Sequence, residues 1–198
     1  MEFVSPTYVL ESAFLRFYKD FELSDPINAL TYEPARMAFK RYVNRLKDDA
    51  QGINHAEGKV RCNHYWLVND YKEVMAVLRI RHHIDTPYLS LEGGHIGLDV
   101  SPRFRNQGVA RKALTLAKQK LRRLDIDKVL ITVDESNFAA RKAIEASGGE
   151  FECIFESRSL YKPIARYWLA TQATQATQAT QATQATQATQ VICFAESA

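Results

Sequence analysis

The sequence predicts a mixed α/β (α+β) domain. Short apolar runs of strand length alternate with longer segments whose apolar residues recur at helical spacing. Their order is strand, two helices, a strand hairpin, strand, helix, strand, helix and two strands, which mixes both element types within one layered unit. The stretch from Gly94 to Gly149 is the most informative about function. It reads strand, turn, helix, strand, loop, helix, with Arg105-Asn106-Gln107-Gly108-Val109-Ala110 at the first strand-to-helix junction.

Phe3 to Tyr8 reads as a short first strand, confined by Pro6 to an edge or a strand end. Leu10, Phe14, Phe17, Tyr18 and Phe21 then recur at helical spacing and read as a core face. Ser24-Asp25-Pro26 breaks that helix. Glu33-Pro34 opens a second one, with proline tolerated in the first turn. Ala35, Ala38, Phe39, Tyr42 and Leu46 mark its buried side, and Asp48 to Gly58 reads as a loop. Tyr65 to Val68 and Val74 to Ile80 form a hairpin across Asn69-Asp70. Arg79, Arg81, His82 and His83 end its second strand. Adjacent strand residues point to opposite faces, so His82 and His83 do not share one ion; a structural or substrate-rim role is expected, and no metal site. Asp85 to Gly94 is a loop.

His95 to Val100 is a strand that ends at Ser101-Pro102. The helix after Gly108 places Ala110, Ala113, Leu114, Ala117, Leu121 and Leu124 on one face. Arg111, Lys112, Lys118, Lys120, Arg122 and Arg123 take the other. No aromatics interleave with these cations, so the face reads as solvated rather than as a nucleic-acid surface. Lys128 to Val133 is a continuous apolar strand suited to a sheet centre. Phe138 to Ser147 is a short helix stopped by Gly148-Gly149. Phe151 to Phe155 and Ile164 to Leu169 are the last strands. From Ala170 to Gln190 the triplet Ala-Thr-Gln repeats without a break. A period of three does not match 3.6, so no apolar stripe forms, and a weakly helical or disordered tail is expected. The expected boundaries are a domain over 1–169, the repeat over 170–190 and a short apolar tail over 191–198.

Without the repeat, the 198-residue chain holds about one domain of ~100–200 residues, enough for a core without disulfides. A net charge of +3 is too small to argue for nucleic acid. Cys62, Cys153 and Cys193 are sparse, odd in number and in no ligand pattern, which fits a reducing compartment. No basic stretch followed by an apolar run opens the chain, and no apolar run approaches the ~20 residues that span a bilayer. The expectation is a cytoplasmic protein, monomer or homodimer, with neither nucleic acid nor membrane as partner.

A glycine at a strand-to-helix junction lets backbone N–H groups approach an anion, and the helix N-terminus adds unpaired donors and a favourable dipole. The junction therefore reads as a pyrophosphate cradle. A P-loop would carry Gly-Lys-Ser or Gly-Lys-Thr and a dinucleotide site three spaced glycines, whereas Gly108 is followed by Val109-Ala110. Three blocks carry a family resemblance. They are Gly94 to Pro102 leading into Arg105 to Ala110, Val129 to Asp134 followed by Asn137 to Lys142 and Gly148-Gly149, and the closing Arg166-Tyr167-Trp168-Leu169. From Phe3 to Leu169 the chain resembles the GNAT superfamily of acetyl-CoA-dependent N-acetyltransferases, and its layout is similar to a bacterial group of predicted acetyltransferases.

The resemblance implies a mixed, mostly antiparallel central sheet with helices on both faces and splayed central strands. It implies acetyl-CoA as co-substrate, no metal, and a primary amine of a small molecule or peptide as acceptor. Backbone N–H groups of Gln107, Gly108, Val109 and Ala110 would hold the pyrophosphate, with Arg105 and Asn106 completing the cradle. The strand at Leu98-Asp99-Val100 would pair with the pantetheine arm, and one of its N–H groups would stabilise the oxyanion. Asn137 would bond the pantetheine from the other side; it is also a good helix N-cap, and the two roles coexist.

An alkyl amine has a pKa of about 10 and attacks only when neutral, so a base or a water chain must take its proton. Direct transfer then gains from holding thioester and amine together. Candidate bases are Glu92, His95 and Asp99, each of which also has a plain reading: a loop charge, a strand-start polar residue and a solvent-facing strand residue. Many family members carry a tyrosine acid seven residues after the asparagine; here that position is Ile144, with Tyr161 and Tyr167 as possible substitutes. Two other functions stay open: a non-catalytic acyl-CoA-binding or sensing module, and a protein-modifying acetyltransferase. The acceptor is expected near the first two helices, Asp48 to Gly58 and Asp85 to Gly94, where Asp48, Asp49, Glu57, Asp85 and Glu92 suit a cationic amine.

Overall fold

Two antiparallel sheets pack side by side and share, among the described residues, one backbone hydrogen bond. The computed structural model describes residues 1–53, 55 and 58–172. The first sheet has the order β1 (Glu2–Val4), β2 (Cys62–Val68), β3 (Val74–Arg81), β4 (Ile96–Val100). The second has the order β5 (Lys128–Asp134), β7 (Lys162–Ala170), β6 (Gly149–Ser157). The helices are α1 (Glu11–Ser24), α2 (Pro26–Ala29), α3 (Glu33–Met37), α4 (Phe39–Gln51), α5 (Val109–Arg122) and α6 (Phe138–Glu145).

Strand alternation sends β3 residues to opposite sides of the first sheet. Val77 joins an aromatic core with Phe14, Phe17, Phe21, Tyr32, Phe39, Tyr42 and Trp66 beneath α1 to α4. Phe14 lies 4.5 Å from the Trp66 ring. Leu78 and Ile80 face the other way, against Leu114, Ala117 and Leu121 of α5. Ile144 of α6 packs in that same cluster with Ile131 and Tyr167. The aromatic stripe and the apolar face of α5 are therefore core, as their spacing predicts, and the helices lie on both faces.

Several boundaries differ from expectation for local reasons. The first strand ends at Val4, just short of Pro6, and Tyr8–Leu10 forms a 3-10 turn. Pro26 does not only break α1 but starts α2, where its missing N–H is no loss. The second helix is split at Ala38, whose extended φ of −155° separates α3 from α4. The loop expected from Asp48 begins later, because α4 continues to Gln51 and stops at left-handed Gly52. A π-helical turn, Leu89–Gly93, lies inside the expected 85–94 loop.

The fold also continues past Leu169, into the first repeat triplet. Ala170 is part of β7. Thr171 is fully buried, its hydroxyl donating to the carbonyls of Ile126 at 2.9 Å and Asp127 at 3.1 Å. Its own carbonyl accepts from Arg122 at 2.8 Å, and Gln172 donates to Asp127 at 2.9 Å. The rest of the repeat and the 191–198 tail lie outside the described residues. A chain ending after Gln172 keeps the first triplet and serves as the reference in equilibrium urea unfolding. One ending after Leu169 should lose about 1–3 kcal/mol, the effect of leaving buried partners unsatisfied; equal stability of the two would remove the first triplet from the fold.

Candidate active site

The site begins at the contact between the sheets. The His95 N–H donates to the Leu130 carbonyl at 2.8 Å, and the Leu130 N–H donates to His95 Nδ1 at 3.0 Å. Thr132 Oγ1 donates to the Glu92 carbonyl at 2.6 Å. Gly94 precedes this contact with φ +60°, and a Cβ there would meet the Leu130 carbonyl oxygen at 2.7 Å, so no other residue allows so close an approach. Past His95, no ladder joins β4 to β5 among the described residues. One edge of β4 is paired with β3 and the other is left open along Ile96–Val100. An open edge of this kind can take an added extended chain.

At the far end of β4, residues 101–108 lead into α5. Gly108 is the N-cap, with φ +74° and no side-chain cap. A Cβ there would meet nothing within 4 Å, so the space in front of the helix is open. The first N–H groups of α5, including those of Val109 and Ala110, have no intrahelical acceptor. Asn106 is also left-handed, at φ 60°. Gln107 folds its amide back onto the Arg103 carbonyl at 2.7 Å. Arg105 turns toward the junction of α1 and α2: it donates to Asp25 at 2.8 Å and to the Val100 carbonyl at 3.3 Å, and lies over the Phe21 ring. Ser101 and Arg103 both bond Asp20 of α1, at 2.5 and 2.9 Å. Asn137 caps α6, accepting from Ala140 N at 3.1 Å, which leaves its amide NH2 as a donor. A cleft of about 490 Å³ lies beside it, lined by Asp134, Ser136, Phe138, Arg141 and Lys162.

The three candidate bases point in three directions. Glu92 accepts from Ser157 Oγ at 2.7 Å, Arg158 N at 3.1 Å and Ser159 Oγ. Burial alone would raise its pKa, but the Ser159 and Ser157 hydroxyls hold the carboxyl below its ordinary range. It thereby clips the π-helical turn to the β6–β7 connection. His95 is buried, and burial, aided by the Arg81 guanidinium, pushes its pKa down to about 4. Its Nδ1 accepts at the sheet junction, so the neutral ring carries its proton on Nε2. Asp99 projects to the sheet face that carries Arg79 and meets Tyr32. Its Oδ2 accepts from the Tyr32 hydroxyl at 2.5 Å and from Arg79 Nη2 at 2.7 Å, and Arg79 Nη1 reaches the Tyr32 oxygen at 3.3 Å. Tyr161 is 92% exposed. Tyr167 is buried; its hydroxyl donates to Glu145 at 2.8 Å and accepts from Arg141 at 2.9 Å.

The acids expected to attract a cationic amine do not converge. Asp49 is bonded to Lys59 at 2.5 Å. Asp85 pairs with His83 at 2.9 Å, and Glu57 lies outside the described residues. His82 bonds Asn63 at 2.5 Å, a structural role away from His83. Tyr32 and Arg79, which fix Asp99, and Arg81, which bonds the turn before β4, are polar residues whose placement sequence reading does not supply. The available signal was arginine at alternate positions of an otherwise apolar strand, Val77-Leu78-Arg79-Ile80-Arg81, which puts both cations on one face.

A model of the acetyltransferase (GNAT) family matches residues 26–148, more than half of the chain. No curated protein matches the sequence significantly. Among solved structures, the RimL ribosomal L7/L12 α-N-protein acetyltransferase in complex with coenzyme A is 16% identical with a TM-score of 0.62, over 85% of this chain and 92% of that one. The microcin C7 self-immunity acetyltransferase MccE, in complex with acetyl-CoA and AMP, is 8% identical with a TM-score of 0.60, over 85% and 91%. A spermidine N-acetyltransferase SpeG chimera from Vibrio cholerae and hSSAT is 14% identical with a TM-score of 0.58, over 86% and 94%. At these identities the likeness is one of fold.

The depressed pKa of His95 predicts a pH effect on stability. The folded state disfavours the imidazolium, so between the ordinary pKa of about 6.5 and about 4 the unfolded chain binds the extra proton. Stability from this group is complete above that window and falls as pH drops through it, by on the order of 3 kcal/mol. His64 and His82 are shifted the same way by burial, so the difference between wild type and His95→Gln is the readout. Urea unfolding from pH 7 to 4 should show a shallower loss in the variant; parallel curves would place the His95 ring in a more solvated setting.

Proposed function

The chain belongs to the GNAT acetyltransferase family, and from that membership we propose that it transfers the acetyl group of acetyl-CoA to a primary amine of a small molecule or peptide. The supporting observation is the pairing of an open β4 edge with an uncapped α5 N-terminus at the end of the same strand. The open space before Gly108 suits a pyrophosphate. Gln107, Gly108, Val109 and Ala110 hold the phosphates by backbone N–H groups. The backbone of Leu98 and Val100 aligns the pantetheine arm, with Asn137 donating from the opposite side. When bound, acetyl-CoA supplies an activated thioester. Arg105 has a secondary part here, since its guanidinium ties the cradle to Asp25.

Asp99 is the best placed of the three candidates to take the amine proton. It lies in mid-β4 on the acceptor side, with Oδ2 fixed by Tyr32 and Arg79, and its Oδ1 is not bonded among the described residues. Glu92 and His95 serve as structural clips. A specific observation favours a second reading, a non-catalytic acyl-CoA sensor: Ile144 stands at the family's tyrosine position, and the Tyr167 hydroxyl is engaged by Arg141 and Glu145.

Acetyl-CoA should raise the melting temperature of the protein, because a ligand bound only to the native state must do so, and Gly108→Glu should abolish the shift. No shift at saturating acetyl-CoA would sink the cradle. Asp99→Asn should keep the shift and lower kcat on a primary amine roughly 10²–10⁴-fold. A thermal shift without turnover across an amine panel would establish the sensor instead.

A further inference from the structure

Arg81 ends β3 with its guanidinium in a cavity of about 500 Å³ that it shares with Asp49, Lys59, His64, Tyr88 and Leu89. Its Nη1 donates to the carbonyls of Gly93 and Gly94, both at 2.9 Å. No carboxylate among the described residues lies within ion-pair distance of it. Arg79, two residues earlier on the same face, is paired with Asp99, and Arg166 with Glu152. A partly buried cation with no counter-charge among the described residues is costly, and burial pushes the Arg81 pKa down. The remaining guanidinium donors form a fork suited to a carboxylate.

The rest of the cavity has the same bias. Lys59 and Arg81 are two cations against the single carboxylate of Asp49, which Lys59 already holds. His64 has a side chain only 9% exposed, and its Nε2 has no hydrogen-bond partner; it faces Asp49 Oδ2 loosely, at 3.4 Å. The cavity is thus a built site with an unpaired cation and an unsatisfied ring nitrogen.

Its position relates it to the acyl-delivering strand. His64 is opposite Arg79, and Arg79 opposite Gly97, so β2 and β4 are two strand spacings apart, about 10 Å. The Arg81 N–H bonds the His95 carbonyl, two residues before Gly97, or about 7 Å along the strand. The π-helical turn that helps wall the cavity leads directly into β4.

We propose that this cavity anchors the acceptor by a carboxylate, and that the acceptor is an amine carrying that carboxylate several bonds from the reacting nitrogen. Arg81 grips the carboxylate, the spacer lies on Leu89 and Tyr88, and the amine reaches mid-β4. A polyamine, with a second ammonium at Lys59 and Arg81, is disfavoured. The amine end of this assignment rests on the proposed function; the carboxylate end does not.

Four probes of equal chain length test it on the intact protein: hexanoate, hexylamine, ε-aminocaproate and hexamethylenediamine. Calorimetric titration should detect hexanoate more tightly than hexylamine, and Arg81→Gln should weaken hexanoate binding roughly tenfold, the worth of a charge-assisted hydrogen bond. In turnover, ε-aminocaproate should exceed hexamethylenediamine in kcat/KM, and Arg81→Gln should lower ε-aminocaproate roughly tenfold more than hexylamine. Arg81→Lys, which keeps the charge, should recover part of that loss, and an unchanged acetyl-CoA thermal shift would verify folding. Preference for the diamine, an equal loss on every amine, or hexanoate binding no tighter than hexylamine would overturn the pocket. Arg81-dependent hexanoate binding with no turnover of any amine would instead remove the transferase reading and leave the pocket standing.

Discussion

The contact between His95 and Leu130 sets the geometry of everything around it. A regular ladder needs two backbone partners at each step, but here one partner is an imidazole nitrogen. The ladder stops after a single backbone bond, and β4 and β5 separate beyond it. The approach is possible because Gly94 has no Cβ to strike the Leu130 carbonyl. The result is an unpaired strand edge inside the domain. Such edges are normally covered or blunted, and this one opens toward the uncapped N-terminus of α5.

The charges around that opening divide into paired and unpaired groups. Asp20 and Asp25 bind Ser101, Arg103 and Arg105, so α1 and its junction with α2 are tied directly to the segment between β4 and α5. Asp99, Arg79 and Tyr32 form a closed set on the neighbouring face. Glu92 and Arg166 fasten the turn before β4 to β6 and β7. Arg81 stands apart, its side chain bonded among the described residues to the Gly93 and Gly94 carbonyls. Where neighbouring buried charges have found partners, an open one is the feature that most needs a ligand to explain it.

The fold was largely legible because its signals are local. The stripe of Phe14, Phe17 and Phe21, the apolar face of α5 and the continuous run of β5 each follow from a period within one segment. Gly108 and Asn137 were legible for the same reason, since left-handed turns and N-caps are chosen by the residue itself. Helix ends were less so: Ala38 carries no mark of the break it makes, and Pro26 serves as a start where its type suggested a stop.

The sequence by itself determined the order of elements, the two faces of α5 and the glycine turn that starts it, because apolar periodicity and turn chemistry act over a few residues. Only the tertiary structure decided what each polar side chain meets. Glu92, His95 and Asp99 lie within eight positions of one another, yet one clips a hairpin, one closes the sheet junction and one pairs with Arg79. Arg79 and Arg81 look alike in sequence, yet among the described residues only Arg79 has a carboxylate partner. Hydrogen bonds and ion pairs join residues 20 to 81 positions apart, and such partnerships are set by how the sheets and helices come together.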